Sequence, residues 1–178
     1  MSDGKMMERK HGTRWGVAIW AVSVLTALVA MPWAASDRLP ERLATHWSAG
    51  SGGPDGSMPL WAAAFLPGAI WVVLVLLAVV PARWSDGPAS RPATRGWAVA
   101  GLLSGGVFLA GAQTSIVRAN LDHADWRQAD PVSVGAVVAF GVAAALAGLT
   151  GWAVTRRGRA VATPGAGASG PSTEDTGA

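Results

Sequence analysis

The 178-residue chain contains no cysteine and no tyrosine, and only 14% of its residues are charged. Without cysteine, no disulfide can staple its loops. A soluble domain carries about a quarter charged residues, and here the shortfall is concentrated. Residues 15–35, 59–80, 96–117 and 132–154 form blocks of 21, 22, 22 and 23 residues with no Asp, Glu, Lys or Arg. At about 1.5 Å per helical residue, each block spans roughly 30 Å, the thickness of a bilayer's hydrocarbon.

A soluble helix needs a polar face. Trp71–Val80 and Val134–Leu149 have none, and the remaining residues cannot cover four such helices. The runs are too long for strands and do not alternate. In lipid, a backbone must satisfy its own polar groups, which selects helices. The expected fold is an all-α integral membrane protein, a four-transmembrane-helix up-down bundle with short polar outer loops. No carboxylate or lysine lies inside the spans, which counts against an ion-coupled transporter or pump. Their polar positions are few, and Gln113, Thr114 and Ser115 cluster near one end of span three.

Ten tryptophans stand out against that background. Trp15, Trp33, Trp61, Trp97 and Trp152 fall near span ends, where an indole suits the headgroup boundary. Trp20 and Trp71 lie deeper and either pack or face lipid. Orientation follows from the basic residues. Ten of them (Lys5, Arg9, Lys10, Arg14, Arg83, Arg91, Arg95, Arg156, Arg157, Arg159) flank one side, against four (Arg38, Arg42, Arg118, Arg127) on the other. Both termini are therefore expected in the cytoplasm of a multi-pass cell-membrane protein. The pI of about 10.6 reflects these flanks, and no nucleic-acid-binding pattern accompanies it. A cleaved signal peptide competes for the first span. The basic start and small residues near Ala35 fit it, while Trp33 and the length of the run oppose it.

Residues 1–14 read as a mobile cytoplasmic tail, Pro81–Arg95 as a Pro-punctuated cytoplasmic loop, and 155–178 as a disordered cytoplasmic tail. Gly101 and Gly105 are four apart, as are Gly141 and Ala145, with Gly148 following. Small residues at that spacing let helices approach closely, either within one chain or across an oligomer.

One polar run, Leu39–Gly56, separates the first two spans. Pro40 suits the first turn of a short helix, which Glu41–Thr45 would continue along the membrane surface. Leu43 and Trp47 would then dip into the interface, with Arg42 and His46 opposite. The glycines at 50, 52, 53 and 56 end it, and Pro54-Asp55-Gly56 is a turn signal. Leu39-Pro40-Glu41-Arg42, Thr45-His46-Trp47 and Pro54-Asp55-Gly56 together resemble the bacterial membrane family called domain of unknown function 1648. Its signature runs roughly L-P-x-R-I-P-x-H-[FW]-[ND]-x-x-G-x-x-D-G. The run is also similar to the N-terminal part of the immunity protein against the sporulation-delaying-protein toxin. Ala44 and Ser48 depart from that signature. The resemblance implies a membrane bundle and assigns the motif to Pro40, Glu41, Arg42, His46, Trp47, Asp55 and Gly56.

A second outer loop, residues 118–131, adds Asp122, His123 and Asp125. Either the two loops converge on a metal ion, or they hydrogen-bond to each other with Arg42 or Arg127 pairing the carboxylates. No His-x-x-x-His pattern supports the metal, so no metal and no cofactor is expected. Neither a Gly-x-Ser-x-Gly stretch nor a phosphate-cradling loop is present, so catalysis is not expected. The leading expectation is immunity or signal sensing, with the outer loops binding an extracellular peptide or toxin. The alternative is a membrane scaffold that packs on another membrane protein through its glycines, and a small-molecule transporter comes third.

Overall fold

The structure is a computed structural model that describes residues 3–48, 52–84 and 91–160, with side chains described at 15–48, 52–80 and 96–157. The helices are α1 (Asp3–Ala34), α2 (Leu60–Trp84), α3 (Arg91–Asn120) and α4 (Val134–Ala160). Strands β1 (Arg42–His46) and β2 (Gly56–Pro59) form an antiparallel hairpin between α1 and α2. Four segments are long and apolar enough to cross a membrane: Trp15–Ala34, Leu60–Val80, Gly96–Asn120 and Val134–Arg157. They match the expected spans to within three residues at each end. Only 11 to 28% of each segment is buried within the protein. Water does not tolerate so much exposed apolar helix, whereas lipid does. The four segments are candidate transmembrane helices and fit a multi-pass membrane protein.

Helix α1 begins at Asp3, so most of the expected N-terminal tail is helical. Residues 155–160 continue α4. The disorder expected beyond them, and the middle of the 81–95 connection, lie outside the described residues.

Helices α1, α2 and α3 pack mutually, and α4 packs chiefly on α3. Val24, Leu28, Trp71 and Leu102 form the buried centre of the three-helix part. Trp71 is 1% exposed, and its indole N–H donates to Ala21 O at 2.9 Å. Trp20 donates to Leu102 O at 3.2 Å. Both deep tryptophans therefore pack, whereas Trp15, Trp33, Trp61 and Trp97 are exposed at span ends.

Pro32 and Pro67 interrupt the helical ladder within the apolar segments. Pro32 lies in α1 and Pro67 in α2, and a proline has no N–H for the carbonyl four residues earlier. The carbonyls so released are Leu28 O and Ala63 O. Gln113 on α3, 1% exposed, donates its amide nitrogen to both, at 3.4 and 3.1 Å. One side chain thus repairs both defects and ties three helices together. Such repair by a neighbouring helix is what allows proline inside a span.

The glycines divide differently from expectation. Nothing lies within 4 Å of a Cβ placed at Gly101 or Gly141, and Gly105 makes only ordinary contact with Leu74 and Trp71. Gly148 does pack closely, against Ser104 and the Ala100 carbonyl. The tightest positions are others. A Cβ at Gly111 would collide with Phe140, and one at Gly151 would lie 2.7 Å from Leu103 Cδ1. Spacing alone identifies small residues but not which face of the helix meets its neighbour. Gly111→Ala is therefore expected to destabilise the α3–α4 seam by about 1–3 kcal/mol through overpacking. Gly101→Ala should be neutral or slightly stabilising, because alanine is the better helix former. Thermal unfolding in detergent would check the pair.

The surface helix expected at residues 41–45 is absent, and that segment is β1. A bulge between Ala44 and His46 breaks the strand's alternation, so Arg42 and His46 take separate partners, Ser57 and Asp55. Arg42 and His46 are exposed while Leu43 is fully buried. Pro40, buried as well, precedes the strand rather than opening a helix.

Candidate functional site

The hairpin and the 121–133 loop sit together at one end of the bundle. Their register is fixed by Arg42↔Pro59, Leu43↔Met58, Ala44↔Ser57 and His46↔Gly56, with a bulge between Ala44 and His46. A side chain at Gly56 would have its Cβ 2.9 Å from that of His46, so the crossing requires glycine. Gly52 has a φ of +70°, which suits glycine in the turn.

Asn120, the last residue of α3, anchors the hairpin. Its side chain is fully buried. Asn120 Oδ1 accepts the Ala44 N–H at 2.7 Å, and Nδ2 donates to Ala44 O at 2.9 Å and to Ile116 O at 2.9 Å. The carboxamide stands in for one peptide unit of a third strand, satisfying both backbone groups of Ala44 where β1 has no further strand beside it. Backbone bonds from Leu60 N to Glu41 O and from Asp55 N to His46 O close the two ends of the hairpin.

A second tie joins the loops. Arg38 grips Asp122 through two parallel bonds, Nε to Oδ1 at 2.8 Å and Nη2 to Oδ2 at 2.6 Å. Asp122 N in turn donates to Arg38 O at 2.8 Å. Asp122 holds a φ of 62°, and aspartate is among the few residues that tolerate this conformation. The loops are bridged as the sequence suggested, but by Arg38 instead of Arg42 or Arg127. Arg42 reaches back to Ser57 Oγ and Ser57 O.

Of the exposed motif residues, His46 meets Asp55. Ser48 and His46 both hydrogen-bond its carboxylate, His46 through Nδ1 at 2.7 Å. These bonds, Ser48's first and His46's next, hold Asp55 below the usual carboxylate range. An ionised carboxylate can only accept, so Nδ1 carries the proton and Nε2 is the ring's remaining nitrogen. Trp47 is half-buried, and its indole N–H finds no acceptor among the described residues.

The second-loop residues have separate tasks. Asp125 caps the short 3-10 turn Trp126–Gln128 by accepting from Arg127 N at 2.9 Å, and its other oxygen meets Arg127 Nη1 at 3.4 Å. Arg127 also lies over the Trp126 ring. His123 Nε2 is 3.7 Å from Asp130. His46 and His123 thus have different carboxylate neighbours. Among the described residues, no group of three or more possible metal ligands comes together.

Hydrogen bonding to Arg38, followed by its charge, also lowers the pKa of Asp122, and the same contacts raise that of Arg38. Carboxylates depressed by folding stabilise the native state above their unfolded pKa, and the contribution is lost as pH falls through the folded value. Loop stability is therefore expected to be level from neutral pH down to roughly pH 4 and to decline below that. Asp122→Asn should remove part of the slope, as read from pH-dependent hydrogen exchange of the two loops.

Sequence reasoning passed over Arg38 and Asn120. Arg38 counted only toward orientation. Asn120 lies just beyond an uncharged block, and a lone amide at a span end is a weak signal until the strand beside it is known. No family model, no curated protein and no solved structure matches the chain.

Proposed function

We propose that the chain is a cell-membrane protein with both termini in the cytoplasm, whose hairpin recognises an extracellular peptide, in immunity or in signal sensing. The carrying observation is the way the hairpin is held. Asn120 and the Arg38–Asp122 pair fix an exposed polar surface of Arg42, His46, Ser48 and Asp55 against the bundle. A fixed surface binds at lower entropic cost than a loose loop, and its mix of cation, imidazole and carboxylate suits a peptide's polar groups. The excess of basic residues on the opposite flank supports the orientation. The motif's resemblance to domain of unknown function 1648 and to the toxin-immunity family supports the class of ligand.

The test is protection of cells against a secreted peptide toxin, or reporter signalling in response to it. His46→Ala and Arg42→Ala are expected to abolish the response at unchanged membrane abundance. Abundance falling in step with the response would reduce the hairpin to a structural part. A scaffold is the second reading, favoured by Gly101 and Gly141, which face open space on the bundle surface. A response kept in the hairpin variants but lost in Gly101→Leu would favour it.

A further inference from the structure

A cleft of about 440 Å³ lies at the hairpin end of the bundle, between the end of α3 and the start of α4. It is separate from the exposed surface around Asp55. Its walls include Arg118 from α3, and Asp130, Val132, Ser133, Ala136 and Phe140 from the following loop and α4. Three features define what it can hold. First, Arg118 makes no side-chain hydrogen bond or ion pair among the described residues, although a carboxylate, Asp130, lines the same cleft. Among the described residues, the Asp130 carboxylate is met only by His123 Nε2, at 3.7 Å. Both side chains are exposed on the same cleft, and no ion pair joins them. Second, the amino terminus of α4 opens here, with Ser133 Oγ accepting the Ala136 N–H, and a helix start favours an anion. Third, Phe140, Val132 and Ala136 make one side apolar, and the cleft lies where two membrane-crossing segments begin and end.

We propose that this cleft binds the headgroup of an aminophospholipid of the phosphatidylethanolamine type. Arg118 and the start of α4 take the phosphate, Asp130 takes the primary ammonium, and the first acyl carbons lie along Phe140. A zwitterion with its charges a few bonds apart complements a cation and an anion that line one cleft with no ion pair between them. A purely anionic headgroup would meet Asp130 unfavourably. A quaternary ammonium offers no N–H to the carboxylate, so phosphatidylcholine is the weaker ligand. The lipid source is favoured over a soluble zwitterion because the cleft joins its polar wall to an apolar one at the edge of the spans.

The test is native mass spectrometry of the whole protein released from nanodiscs that contain equal parts phosphatidylethanolamine, phosphatidylcholine and phosphatidylglycerol. The wild-type chain is expected to retain phosphatidylethanolamine several-fold over the other two. Asp130→Asn should bring phosphatidylethanolamine and phosphatidylcholine to near parity. Arg118→Gln should lower retention of both by about tenfold, the scale of one lost charge-assisted bond. Hydrogen exchange of the hairpin, unchanged in both variants, would show that the fold is intact. Equal retention of the three lipids by the wild type, or unchanged selectivity in Asp130→Asn, would overturn the proposal. So would displacement of the lipid by soluble phosphorylethanolamine at matching concentration. None of these readouts involves peptide recognition by the hairpin, so the two proposals can fail independently.

Discussion

Asn120→Ala is expected to detach the hairpin from the bundle. The substitution leaves the Ala44 N–H and C=O buried without partners, since Asn120 alone serves both. Each orphaned group costs about 1–3 kcal/mol, so the loss is about 2–6 kcal/mol. Deuterium uptake across residues 42–46 should rise sharply, while α2 keeps its protection. Asn120→Asp makes a sharper version of the test. It keeps an acceptor for Ala44 N–H but removes the donor to Ala44 O and Ile116 O, and it brings a carboxylate into a fully buried position. It should be at least as damaging at neutral pH. If either variant left the hairpin as protected as in the wild type, the amide would not be its anchor.

Gln113→Leu is expected to cost about 1–4 kcal/mol in detergent unfolding. It strips the donors from Leu28 O and Ala63 O at the centre of the three-helix part. Hydrogen bonds between helices in membranes average about 0.6 kcal/mol, because the separated helices find other partners. The upper figure applies because these two carbonyls have lost their own ladder donors to Pro32 and Pro67. A double-mutant cycle tests that cause directly. In a Pro67→Ala background, Ala63 O regains a backbone donor from residue 67, and the penalty of Gln113→Leu should shrink. A penalty unaffected by Pro67→Ala would assign the role of Gln113 to packing alone.

The four spans were readable because lipid imposes one rule, absence of charge over about 20 residues, and the chain obeys it in four places. Their order and antiparallel run followed from short connections. What was not readable depends on contacts between distant segments. The stretch Arg42–His46 carries Pro40 ahead of it and glycines after it, signals that suit a short helix as well as a strand. Its choice is made by β2 and by Asn120, 76 residues away. Gln113 was visible as a polar residue in a span, but its purpose required knowing that the carbonyls freed by Pro32 and Pro67 face it. Gly111 and Gly151 were missed as close-approach positions because the pattern of spacing favoured Gly101 and Gly141. Among the motif residues, His46 and Asp55 do meet, whereas Asp122, His123 and Asp125 serve three separate partners.

Helix α3 supplies both Gln113 and Asn120. During synthesis, α1, the hairpin and α2 are made before either residue. Until then two proline-freed carbonyls and the back of β1 lack their mates. The third helix is therefore the keystone of assembly, because the polar contacts of the first half of the chain are completed only when it arrives.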